Sequence, residues 1–84
     1  GLVHEVVAAD ALDAKVAELT HALLSASPNA VRACKRLLQD VAERDINDTL
    51  VAHTVSGIAD IRASDEGKEG VQSFLQKRKP SWLL

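Results

Sequence analysis

The side chains with chemistry to offer are few and scattered. His4, His21 and His53 lie on three separate stretches, no two of them four residues apart, and Cys34 is the single cysteine that could join them. A tetrahedral zinc site draws its ligands from closely spaced pairs, so no metal site is expected. His4-Glu5-Val6-Val7-Ala8 begins as a zinc-protease helix motif does, but Ala8 stands where the second ligand is required. Cys34 repeats with Val31, Leu38 and Val41 on the apolar stripe of a helix, which predicts a packed, inert thiol rather than a nucleophile. Asp40 with Glu43, and Glu66 with Glu69, are neighbours along one helix and read as solvated faces. General acid–base chemistry needs desolvated groups facing each other across a cleft, so no catalytic residue is expected in this chain.

One cluster remains, Lys77-Arg78-Lys79, which follows Phe74 closely. At the end of a helix, cations offset the macrodipole by about 0.3–1 kcal/mol each. Ammonium and guanidinium groups beside an aromatic ring can also clamp a phosphate-bearing, nucleotide-like group. Both roles are compatible with the spacing.

These groups must be positioned by helices. Leu12, Val16, Leu19 and Leu23 recur at spacings of four, three and four, which predicts an amphipathic helix from Asp10, with Asp10 as its cap and Ser25-Ala26-Ser27-Pro28 as its end. Ser27 as N-cap and Pro28 in the first turn then open a second helix with its stripe at Val31, Cys34, Leu38 and Val41. A polar break over Arg44-Asp45-Ile46-Asn47-Asp48 precedes a third helix, through Leu50, Val55, Ile58 and Ile61. A glycine inside a helix costs about 1 kcal/mol relative to alanine, so Gly57 is expected where another helix packs close. A fourth helix starts at Ser64, carries Asp65 and Glu66 in its first turn, and stops at Lys77-Arg78-Lys79-Pro80, with Gly67 and Gly70 allowing close approach. The expected architecture is therefore all-α, a small bundle of about four amphipathic helices. Gly1-Leu2-Val3-His4-Glu5-Val6-Val7 precedes it as a short strand or an extended lead-in, and a lone strand would need a sheet to join.

Composition narrows the partners. The chain has 84 residues, of which 46% are hydrophobic but only Phe74 and Trp82 are aromatic, so Ala, Val, Leu and Ile must supply the packing and stacking on nucleic-acid bases is not expected. A formal net charge of −2 leaves no basic excess for a phosphate backbone. The lone cysteine excludes an internal disulfide and fits the cytoplasm, and no apolar run approaches the roughly 18 residues of a membrane span. With no methionine at all, the chain is expected to be a fragment of a longer product.

The run from Ser64 to Trp82, Ser-Asp-Glu-Gly-Lys-Glu-Gly-Val-Gln-Ser-Phe-Leu-Gln-Lys-Arg-Lys-Pro-Ser-Trp, resembles the closing segment of the crotonase superfamily, the enoyl-CoA hydratases and isomerases. That segment reads Ser, acidic residues, Glu-Gly, a small residue then Phe, Lys-Arg, Pro and a terminal aromatic. Gly1 to Val7 is similar to the strand that leaves the family's catalytic core, and Ser27-Pro28-Asn29-Ala30 through Lys35 is similar to its next helix start. The resemblance implies that residues 1–9 are a strand or linker leaving a missing catalytic core, and that residues 10–84 are a C-terminal helical oligomerisation domain. It implies a parent enzyme, a lyase or isomerase, that adds water to the double bond of a 2-enoyl-CoA, with acyl-CoA as substrate and no resident cofactor. The chain itself would then be non-catalytic. It implies homo-oligomers, trimers or hexamers, and CoA binding by Lys77 and Phe74, with Lys77 on a CoA phosphate. Some relatives carry an adenine-stacking aromatic where this chain has Ile58. The alternative from the residues alone is a free-standing helical protein–protein interaction module unrelated to acyl-CoA.

Overall fold

The computed structural model describes residues 1–83; Leu84, the last residue of the expected helical domain, lies outside the described residues. A 3-10 turn at Ala9–Ala11 leads into α1 (Leu12–Ser25), followed by α2 (Pro28–Val41), α3 (Asp48–Ala63), α4 (Asp65–Leu75) and a closing 3-10 turn at Ser81–Leu83. The chain is all-α, with no strand among the described residues. The lead-in has no second strand to pair with, and is tied instead to α1 by Glu5, whose carboxylate lies 3.2 Å from Lys15 Nζ.

Local signals account for most of the helix starts. Ser27 Oγ accepts from the Ala30 amide at 3.1 Å, with Pro28 at the first helical position, as its sequence predicts. Asn47 Oδ1 accepts from the Leu50 amide at 2.8 Å, so α3 begins inside the stretch read from sequence as a polar break. Ser64 ends α3 and starts α4 in a single residue: its amide donates to Asp60 O at 3.0 Å, and its Oγ accepts from the Gly67 amide at 3.1 Å. Asp10 does not cap α1. It lies within the preceding turn, and the cap position falls on Ala11, which has no side-chain acceptor.

Gly57 and Gly67 differ. A Cβ on Gly67 would lie 2.7 Å from Arg62 O and closer still to Ile61 O, so glycine there lets the backbone of α4 pass against the end of α3. A Cβ on Gly57 would meet nothing within 4 Å, so the expected neighbouring helix is not supplied by the described residues.

The helices form a thin layer, with dimensions of 47 × 39 × 15 Å. The radius of gyration, 16.5 Å, exceeds the roughly 12 Å of a compact domain of this length. Helix α3 packs on α4 and α2, and α2 also touches α4, whereas α1 makes its main contacts with its own 3-10 turn. Among the described residues no hydrophobic side chain is buried, and Ser73 alone is enclosed. Cys34 is exposed, which corrects the expectation of a packed thiol: the periodicity located an apolar face, but no described residue covers it. Among the described residues no helix is long and apolar enough to cross a membrane.

Candidate functional site

The end of α4 is where the sequence placed its one binding cluster, and the backbone there is specific. The helix stops at Leu75, two residues before the cations, so none of them lies in its last turn as the sequence reading had it. Lys77 adopts φ 52°, in the left-handed region. Its amide donates to Phe74 O at 3.2 Å and the Arg78 amide to Ser73 O at 3.0 Å, satisfying carbonyls that the helix end leaves free. Glycine normally fills this left-handed position, because a Cβ there meets the following carbonyl.

The left-handed residue turns the chain back and separates three consecutive cations. Arg78 folds onto α4 and grips Glu69 with both terminal nitrogens, Nη1 to Oε1 at 2.6 Å and Nη2 to Oε2 at 2.9 Å. Its Nε donates to Gln76 Oε1 at 2.7 Å, and its Nη1 also donates to Lys79 O at 3.2 Å. Glu69 Oε1 further accepts from the Ser81 amide at 2.8 Å. Arg78 and then the Ser81 amide hold the Glu69 carboxyl down at about 2, and Glu69 in turn raises the Arg78 value. Among the described residues no acidic group lies within ion-pairing distance of Lys77 or Lys79. Phe74, one turn before Lys77, is 82% exposed. The fold thus leaves Phe74, Lys77 and Lys79 open at one end of α4 and uses Arg78 internally.

Glu66 and Glu69, read from sequence as solvated, are structural acceptors. Glu66 Oε2 accepts from Ser27 Oγ and, at 3.0 Å, from the Asn29 amide, while its Oε1 accepts from Asn29 Nδ2 at 2.6 Å. Ser27 first and then Asn29 lower its pKa. One carboxylate therefore closes the N-terminus of α2 against the first turn of α4. Asp40 on α2 is likewise engaged, its Oδ2 lying 3.1 Å from His53 Nε2 on α3.

Trp82 supplies a further link that composition alone did not assign. Its indole Nε1 donates to Ser25 O, the last residue of α1, at 3.2 Å, and its ring passes 3.4 Å from where a Gly70 Cβ would stand. Gly70 thus permits close approach of a side chain rather than of a helix. Spacing could have suggested only the caps. The Glu69–Arg78 and Ser25–Trp82 partners are nine and fifty-seven residues apart, outside any helical period.

Elsewhere the described residues offer little chemistry. No group of three or more His, Cys, Asp or Glu is placed to hold a metal ion. An open groove of about 460 Å³ at the α2–α3 turn is lined by Arg44, Asp45, Asn47, Thr49, Leu50 and His53, and includes neither Phe74 nor Lys77. Ile58 is exposed on α3.

Comparison with known proteins gives these features a context. The family model described as enoyl-CoA hydratase/isomerase matches residues 1–83. The mouse protein named enoyl-CoA hydratase domain-containing protein 3, mitochondrial (Mus musculus), is 29% identical over 82 residues, which are 98% of this chain and 27% of the mouse protein. A crystal structure from Legionella pneumophila, described as an enoyl CoA hydratase/isomerase (crotonase), matches with a TM-score of 0.90 at 40% identity, over 96% of this chain and 31% of that one. The chain therefore spans less than a third of the length of either relative.

Proposed function

This chain belongs to the enoyl-CoA hydratase/isomerase family, and from that premise we propose that it is the C-terminal helical portion of an enzyme that adds water to the double bond of a 2-enoyl-CoA. The observation that supports this most directly is a layer of amphipathic helices with no buried hydrophobic side chain among the described residues, in a chain whose residues 1–83 match the family. A domain is ordinarily built from two packed layers around a core, and this layer has its apolar faces still to cover. Residues 1–9 would join it to a catalytic core and residues 10–84 would cover the CoA site and mediate trimer or hexamer formation. The chemistry would reside in that core, with acyl-CoA as substrate and no resident cofactor. The free thiol of Cys34 suits the reducing cytoplasm, the compartment we assign to the enzyme.

Within this portion, Lys77 would contact a CoA phosphate and Phe74 would lie against the adenosine end. The αL backbone at residue 77 makes glycine an informative replacement. Lys77→Gly removes the ammonium and relieves about 1 kcal/mol of backbone strain, so a weakened substrate interaction could not be attributed to unfolding. A phosphate far from the reacting carbons contributes mostly uniform binding. Lys77→Gly in the intact protein should therefore raise KM for crotonyl-CoA about three- to tenfold with kcat within about twofold. An unchanged KM at low salt would remove Lys77 from the site. Residues 1–84 expressed alone should not hydrate crotonyl-CoA above a buffer control, and activity there would move the chemistry into this chain. Sedimentation of the intact protein as a monomer would reject the oligomerisation role.

A further inference from the structure

Lys77, Arg78 and Lys79 are consecutive in the sequence, but the fold divides them. Arg78 makes four hydrogen bonds within this chain, to both oxygens of Glu69, to Gln76 Oε1 and to Lys79 O. Glu69 completes the closure by accepting from the Ser81 amide at 2.8 Å. Residues 76 to 81 are thus drawn around one guanidinium–carboxylate pair. Lys77 stands in the middle of that loop, held at φ 52° where a side chain pays a steric penalty, with its ammonium free of acidic neighbours among the described residues. An uncommon backbone conformation persists when its surroundings over-determine it. Here the surroundings are Glu69 and Arg78.

We propose that Glu69 and Arg78 are positioning residues that fix the loop carrying Lys77, so that its ammonium meets the phosphate end of the CoA substrate without having to order a flexible lysine loop on binding. The inference rests on the proposed Lys77–phosphate contact and names what aims it. The phosphate contact is assigned to Lys77 rather than to Arg78, because four of the five N–H donors of the guanidinium are already engaged within this chain. Preorganisation of this kind acts on binding: a loop that must be ordered at the moment of association weakens it. The Glu69 carboxyl, held at about 2, keeps its charge throughout the neutral range, so its pairing with Arg78 does not depend on pH there.

The test is a mutant cycle in the intact protein with two substrates, crotonyl-CoA and crotonyl-pantetheine, the second lacking the nucleotide and its 3′-phosphate. Glu69→Gln should raise KM for crotonyl-CoA about three- to tenfold while leaving KM for crotonyl-pantetheine within about twofold. Arg78→Lys, which keeps the charge but loses the two-pronged grip, should fall between wild type and Glu69→Gln. In a Lys77→Gly background, Glu69→Gln should add no further rise for crotonyl-CoA, since the group it aims is gone. Equal losses on both substrates, or full additivity with Lys77→Gly, would overturn the positioning role and leave Glu69 a general structural brace. Should Glu69→Gln fold poorly, Arg78→Lys carries the same comparison. If Lys77→Gly alone changes nothing, the phosphate contact fails. If Lys77→Gly acts and neither strut variant does, the contact stands and the positioning inference fails.

Discussion

Helix α1 and the α2–α4 unit carry apolar stripes of similar composition, yet they are fixed by different means. The α2–α4 unit is joined through Glu66 to Ser27 and Asn29, through the Ser64 junction with Gly67, and through the His53–Asp40 pair. Helix α1 is held to the rest by the Trp82 indole on Ser25 O, and to the lead-in by Lys15. Neither region buries a hydrophobic side chain: Leu23 on α1 is 62% exposed and Val55 on α3 is 60% exposed. Polar and backbone contacts therefore set the geometry of α2, α3 and α4, while the place of α1 depends on the surface its apolar face will meet.

The largest perturbation of this contrast is steric. In the intact protein, Gly67→Ala should cost about 3 kcal/mol or more in urea or thermal unfolding, because the new Cβ collides with backbone carbonyls that cannot rotate away. A cost below about 1 kcal/mol would mean that α3 and α4 shift freely, and the contrast between a fixed unit and a loosely held α1 would collapse. Glu66→Ala should come next. It leaves the Ser27 hydroxyl and both Asn29 donors without their acceptor, and hydrogen exchange should quicken in the first turn of α2 before it changes in α1.

Acid and alkali should act on the two regions separately. Glu66 and Glu69 have folded values below the ordinary carboxylate value, so their contribution is full above about pH 4.5 and is lost as pH falls toward the folded value, about 2 for Glu69. Lys15 is raised above 10.5 by Glu18 first and Glu5 second, so its contribution is full below that value and is lost as pH rises through the folded one. Hydrogen exchange at pH 3 should therefore loosen α4 and the 76–81 loop first, whereas near pH 11 the lead-in and α1 should go first. The reverse order would show that these charges do not hold the regions as assigned.

How much of this was legible in the sequence follows from the range of each interaction. The Ser27-Pro28 and Ser64-Asp65-Glu66 starts were readable because a cap acts over three residues, and the all-α class followed from the spacing of Leu, Val and Ile. Gly57 and Gly67 looked alike, since a one-dimensional pattern does not say which helix crosses where. Cys34 was assigned to a core because periodicity marks an apolar face without saying what covers it. The candidate cluster of Phe74 with Lys77, Arg78 and Lys79 is visible from residue types and is narrowed to Phe74 and Lys77 by the tail resemblance, but the separation of Lys77 from Arg78 depends on a left-handed turn that no helical or glycine signal announces. Glu69 was misread as solvated for the same reason: its partner lies beyond that turn.

The smallest expected effect isolates the α1 link. Trp82→Phe keeps most of the ring that lies over Gly70 but removes the one donor of the side chain, leaving Ser25 O without the indole. The net loss of one such hydrogen bond is about 1 kcal/mol, near the limit of what global unfolding resolves. Its location is the more telling readout. Because Glu66, Gly67 and Asp40 hold the other three helices together without Trp82, exchange should quicken in α1, most of all in its last turn, and remain unchanged in α2 through α4. Equal quickening in all four helices would show that α1 is an integral part of the fixed unit. A change confined to α1 would mean that the helix with the weakest polar anchoring takes its position from whatever covers Leu12, Val16, Leu19 and Leu23.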